Sequence, residues 1–237
     1  MDQYAAKAVE FTSSIGDKPY FMMVNYPDAH LPFQNDVEGL PTVKVDRNRI
    51  NSTLSFVGVN SERLFDETER YYNCMNRLDE SIGMLLDSLG DLSNTVVIYL
   101  SDHGAQFSRG KLTNYEGGLK VPFIVHWPDR YPVQNEVRDE LISVVDILPT
   151  VMEIAGIEKP DFLPGKSLIG LLDNPNQEEA IWQLRGRDHR PFSIFHAEAS
   201  EIILLNSSTT LMWGGQNFLH ITLTPNPILN PDPIRKK

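Results

Sequence analysis

Three things are scarce in this sequence: cysteine, long apolar runs and clusters of basic residues. One cysteine in 237 residues excludes an internal disulfide framework and leaves the redox compartment unread. No segment reaches the roughly 20 apolar residues that a membrane-crossing helix needs. Asp and Glu number 32 against 21 Lys and Arg, and the resulting net charge of −11 argues against a nucleic-acid surface. The start, Met1-Asp2-Gln3-Tyr4, lacks the basic opening and apolar core of a signal peptide, so the compartment is not legible either. With 41% hydrophobic residues, the chain can build one substantial core and a small second unit.

The strongest local signal is Val96-Val97-Ile98-Tyr99-Leu100 running into Ser101-Asp102-His103-Gly104. A short, uncharged, β-branched and aromatic run reads as a strand buried on both faces, as in a parallel sheet under helices. Asp102 and His103 then fall at its carboxyl end, where open α/β sheets place ligands. An acid beside an imidazole there suits a metal site or an acid/base pair; a turn cap and an ordinary loop histidine are the plain alternative. A second run, Tyr20 to Tyr26, reads as another buried strand and ends in Pro27-Asp28-Ala29-His30-Leu31-Pro32-Phe33.

The intervening pattern is helical. Residues 4–14 form a weak amphipathic helix. Met75, Leu78, Ile82, Leu85 and Leu89 recur at helical spacing in a helix over 66–89, with acidic residues at its start. Cys74 falls mid-helix and reads as packing. Residues 34–64 lack periodicity and read as a long surface loop over the active face. Val121 to Trp127 reads as a strand with Pro122 at its start and His126 packed within it. Ile147 to Gly156 reads as a helix with proline in the first turn, and Asp146 as its cap. Helix, turn and strand in repeated order support an α/β layered sheet with crossover helices.

Several phrases together carry a family likeness. They are the strand with Ser-Asp-His-Gly, Lys111, Tyr115-Glu116-Gly117-Gly118, Val121-Pro122, the run from Lys18 to His30-Leu31-Pro32-Phe33, Val145-Asp146-Ile147-Leu148-Pro149-Thr150, and Gly165-Lys166-Ser167-Leu168. Taken in chain order and with their spacing, they resemble the formylglycine-dependent sulfatases of the alkaline-phosphatase-like superfamily, over roughly residues 15–172. The resemblance implies an α/β fold: a mixed, largely parallel sheet flanked by helices. It also implies residues 1–172 as the carboxy-terminal portion of the catalytic domain and 173–237 as a partial carboxy-terminal subdomain and tail, with a strand near 192–198. By carry-over, Asp102 and His103 are ligands of a divalent metal, calcium being usual. Many sulfatases have asparagine at the position of His103, and an imidazole leaves a transition metal open. Lys111 is the cation on the substrate sulfate, and His30 the histidine near the sulfate and leaving group. Glu116 shapes the loop, with Gly117 and Gly118 permitting its turn. The Phe107 to Asn114 phrase is similar to heparan N-sulfatases, which implies N-sulfoglucosamine or a related sulfated sugar as substrate.

The family's Asp-Asp pair and its Cys/Ser-x-Pro-x-Arg segment, whose cysteine or serine becomes formylglycine, do not occur in these residues. The expectation is a fragment lacking the amino-terminal half and inactive alone. The alternatives are a phosphodiesterase or phosphonate hydrolase of the same superfamily, or a non-catalytic glycan-binding remnant.

Overall fold

The computed structural model describes residues 3–131, 136–138, 140, 142–173 and 202–204. Two compact units divide them, one over residues 3–53 and 60–93 and the other over 54–59 and the described residues from 94 onward. The strand expected at 192–198 and the tail lie outside the described residues.

In the first unit, Ala5 and Ala8 give helix α1 (Gln3–Ile15) a small-residue face that is buried as it packs on α2 (Glu62–Leu89). Ser61 caps α2, its hydroxyl accepting from the Leu64 amide at 3.3 Å. Half of the buried face of α2 is polar: Asn73, Arg77 and Ser81 alternate with Cys74, Leu78, Ile82 and Leu85. The reason lies in the irregular chain beside it, whose backbone groups need partners that no sheet supplies. Asn73 Oδ1 accepts from the Val45 amide at 2.8 Å, and Glu80 accepts from the Thr42 amide at 2.9 Å. Asn76 donates to the Val43 carbonyl at 3.2 Å. Within the expected 34–64 loop, residues 34–53 are largely irregular but laid along α2 rather than loosely solvated, and α2 begins at Glu62, four residues before the expected Asp66, because Ser61 caps it there.

The Tyr20–Tyr26 run is not a buried strand. No described strand pairs with it, and only alternate residues are covered, with Phe21 and Met23 some 70% exposed at 69% and 70%. Its composition favours an extended backbone, but a strand also requires a ladder partner, which is a non-local fact.

Unit two holds a four-stranded sheet of β1 (Val97–Leu100), β2 (Phe123–His126), β3 (Glu136–Arg138) and β4 (Ile202–Leu204), in the order β1-β2-β4-β3. The sheet is mixed but not largely parallel: β2–β4 is parallel, while β1–β2 and β3–β4 are antiparallel. β1 is half-buried rather than covered on both faces, whereas β2, including His126, is buried throughout. Between β1 and β2 there is no crossover helix, because Leu100 sits opposite Phe123 and the chain simply returns. Everything from 101 to 122 is thus one excursion from one end of the sheet. It contains only the four-residue helix α3 (Glu116–Leu119). Phe123, Val125, Ile142, Leu168, Leu171 and Leu172 form the core beneath.

Helix α4 (Ile147–Ile154) has Pro149 in its first turn, and Gly156 beyond its end takes a φ of +67°. Asp146 does not cap it. Its side chain makes no cap bond; Oδ2 accepts from the Ser143 amide and Oδ1 from the Lys166 amide, both at 2.9 Å. Thr150 repeats the stitch: its hydroxyl donates to the Asp146 carbonyl at 2.6 Å and accepts from the Leu168 amide at 2.9 Å. The chain is thereby held ready for α5 (Ile169–Asp173) to enter the core. Among the described residues no helix is long and apolar enough to cross a membrane.

Asp79 on α2 is a liability of this fold. Its Oδ1 is sealed from solvent without a hydrogen-bond partner, and burial, with Glu80 beside it, pushes the carboxyl up to about 8. The unfolded carboxyl titrates near ~3.9, so between there and pH 8 the folded state holds a proton the unfolded state has lost. Stability from this group is greatest below that window and falls as pH rises through it. Asp79→Asn should flatten the dependence and stabilise the chain above pH 8 by on the order of 1–3 kcal/mol. Urea midpoints at pH 5 and pH 8.5 check this; an equal change at both would refute it.

Candidate functional site

The return from β1 to β2 starts with Ser101, whose hydroxyl donates to the His103 carbonyl at 2.7 Å. His103 Nδ1 lies 2.8 Å from the Gly104 carbonyl. A carbonyl only accepts, so Nδ1 carries the proton of that bond, assigned here from the partner. Nε2 then faces Asp102 Oδ2 at 3.3 Å. The Asp102 side chain is 84% exposed and that of His103 32%. Two donors on a shared calcium, each about 2.3–2.6 Å from it and at right angles, stand roughly 3.3–3.7 Å apart. The pair therefore fits a cation as two adjacent positions of a shell. It does not fit as a whole site: among the described residues no group of three or more His, Cys, Asp or Glu side chains could hold a metal.

The loop beyond is shaped by backbone meeting backbone. The Gly104 amide donates to the Gly118 carbonyl at 3.0 Å, and a Cβ on Gly104 would overlap the Gly117 carbonyl. Gly118 is pressed in the same way against the Gly110 and Thr113 carbonyls. The pair 117–118 is thus glycine for close approach and not for a left-handed turn; the left-handed residues are Arg109 and Leu112, at φ +63° and +67°. Glu116 opens α3 and is exposed, so the shaping falls to its glycine neighbours. The Ala105 carbonyl accepts from the Phe107 amide at 2.8 Å and the Lys111 amide at 2.9 Å. Phe107 is buried, which anchors the turn. Lys111, half-buried, is in this way hydrogen-bonded to the same short backbone stretch that carries Asp102 and His103.

His30 belongs to the other unit. Its amide donates to the Pro27 carbonyl at 3.0 Å, its Nδ1 lies 2.7 Å from the Leu31 carbonyl, and its side chain is exposed. Phe33 is buried and meets Tyr71 edge-on, with centroids 5.4 Å apart. Two residues that sequence reasoning passed over hold this turn. Arg77 reaches Asp28 through two hydrogen bonds, Nε to Oδ2 at 2.8 Å and Nη2 to Oδ1 at 2.6 Å. An arginine on the apolar face of α2, with an aspartate two residues before His30, was the available signal. Cys74 is buried, burial pushes its thiol up, and it lies 3.5 Å from the Gln34 carbonyl, which fits packing rather than chemistry.

Gly104→Ala should cost about 2–4 kcal/mol, because the methyl has only backbone to displace. Amide exchange at Gly104 and Lys111 should accelerate together. Protection at Lys111 unchanged from wild type would show that the two ends of the loop are not coupled.

Comparison with known proteins gives a family model described as Sulfatase, matching residues 1–157. Relatives include the uncharacterized sulfatase YidJ of Escherichia coli, 30% identical over 193 residues, covering 70% of this chain and 38% of that protein. An arylsulfatase of Clostridium perfringens is 27% identical over 90% of this chain and 46% of its own length. The N-acetylgalactosamine-6-sulfatase of Sus scrofa is 32% identical over 49% of this chain and 26% of its own. The chain spans less than half the length of these relatives.

Proposed function

This chain belongs to the sulfatase family, and from that premise we propose that it supplies part of the machinery of a sulfuric ester or sulfamate hydrolase acting on a sulfated sugar. The observation that carries the proposal is the approach of Asp102 Oδ2 to His103 Nε2 at 3.3 Å on a loop whose next turn is tied to Lys111. Asp102 and His103 are assigned as two ligands of a divalent cation; the hard carboxylate favours calcium and the imidazole a transition metal, and their spacing suits either. Such an ion, when bound, offsets the negative charge of the sulfate oxygens. Lys111 adds a point charge aimed at the same anion. His30 is assigned by its motif to the leaving-group oxygen, donating at Nε2 when protonated, since Nδ1 is committed to Leu31. No residue here matches the segment that becomes formylglycine, so no nucleophilic step is assigned to this chain.

The sugar class draws support from two relatives, an ulvan-active sulfatase of Formosa agariphila and the N-acetylgalactosamine-6-sulfatase of Sus scrofa. The finer reading, N-sulfoglucosamine, rests on the Phe107 to Asn114 phrase alone.

Sulfate release from 4-nitrophenyl sulfate, N-sulfoglucosamine and an O-sulfated hexosamine tests this in the protein as its own organism makes it. Asp102→Asn and Lys111→Ala should each lower kcat/KM by about 10²-fold or more. The 237-residue chain alone should release none. Full activity in both variants would overturn the site assignment, and turnover by the isolated chain would overturn the need for a separate nucleophile.

A further inference from the structure

One side chain holds both ends of the turn that bears His30. Arg77 lies on the buried face of α2 with its side chain 7% exposed. Nε and Nη2 grip the Asp28 carboxylate, and Nη1 donates to the Gln34 carbonyl at 2.9 Å. Asp28 precedes His30 by two residues and Gln34 follows it by four, so a single planar guanidinium sets the span across the histidine. The surroundings reinforce the grip: Asn73 Nδ2 donates to Asn35 Oδ1 at 3.0 Å, and Arg77 Nη2 approaches Cys74 Sγ at 3.3 Å.

Burying such a fork carries a desolvation cost that an apolar residue at position 77 would avoid. What the fork provides and leucine would not is a fixed geometry between residues 28 and 34. We propose that Arg77 and Asp28 are positioning residues for His30, clamping its turn so that Nδ1–H stays committed to the Leu31 carbonyl and Nε2 is the nitrogen that exchanges a proton. The proposal rests on the leaving-group role given to His30 and names the device that prepares it.

The tautomer is directly readable. In the chain labelled with ¹⁵N-histidine at about pH 9, where imidazoles are neutral, long-range ¹H–¹⁵N correlations distinguish Nδ1–H from Nε2–H. His30→Gln identifies the signal. In the wild type, His30 should be predominantly Nδ1–H. Arg77→Lys keeps the charge but not the fork, and Asp28→Asn keeps the shape but not the charge. Each should raise the Nε2–H population at least threefold, leaving His103 and His126 unmoved, while Asp28→Glu should retain the wild-type pattern. Should Arg77→Lys fail to fold, Asp28→Asn decides alone. An unchanged His30 tautomer in the folded variants, or an Nε2–H form already dominant in the wild type, overturns the clamp. Because no substrate is present, the result stands apart from the functional reading. A tautomer that shifts while sulfate hydrolysis does not would support the clamp and overturn the leaving-group role.

Discussion

Close contact between backbones, possible only where no Cβ intervenes, is the constraint on which the second unit depends. The chain leaves β1, crosses itself at Gly104 and Gly118, and re-enters the sheet at Phe123 opposite the residue it left. Those crossings do in the loop what a hydrophobic core does elsewhere. They exclude alternatives by overlap rather than by attraction, so an exposed carboxylate at Asp102 keeps a defined place without being buried. A loop open to solvent gains its order from the glycines behind it.

Much of this was legible in the sequence, and what failed did so for one kind of reason. Helix α2 follows from apolar spacing and the acidic residues near its start, and α4 from its proline and the glycine beyond it, all local facts; the Ser61 cap that starts α2 at Glu62 rather than Asp66 went unread. The strand of β1 follows from Val97 to Leu100. Its antiparallel partner does not, because composition says nothing of which strand lies alongside. Tyr20 to Tyr26 has the residues of a strand but no described ladder, for the same reason. Asp146 looked like a cap by position, yet its oxygens serve amides at 143 and 166. Arg77 and Asp28 are separated by 49 residues, and no periodicity connects them.

The motif residues divide accordingly. Asp102, His103 and Lys111 are near in sequence and share one loop, the Lys111 amide donating to the Ala105 carbonyl three residues beyond Asp102. His30 belongs to another unit, bonded within its own proline-rich turn, and that turn is held from outside by Arg77 of α2. The buried face of that helix shows how a polar stripe can serve structure: each amide, guanidinium or carboxylate replaces a missing sheet partner for the chain lying on it.

The double stitch from Asp146 and Thr150 to the amides of Lys166 and Leu168 has an evolutionary side. The ends of the 147–164 excursion are fixed by those bonds, so its length is nearly neutral while the bonds persist, since lengthening a closed loop costs only logarithmically. Residues beyond α4, from Gly156 to Pro164, form a segment where insertions can accumulate and diversify a surface. Position 146 and positions 165–168 do not share that freedom. A change there would release the approach to α5 and, with it, the leucines that close the core.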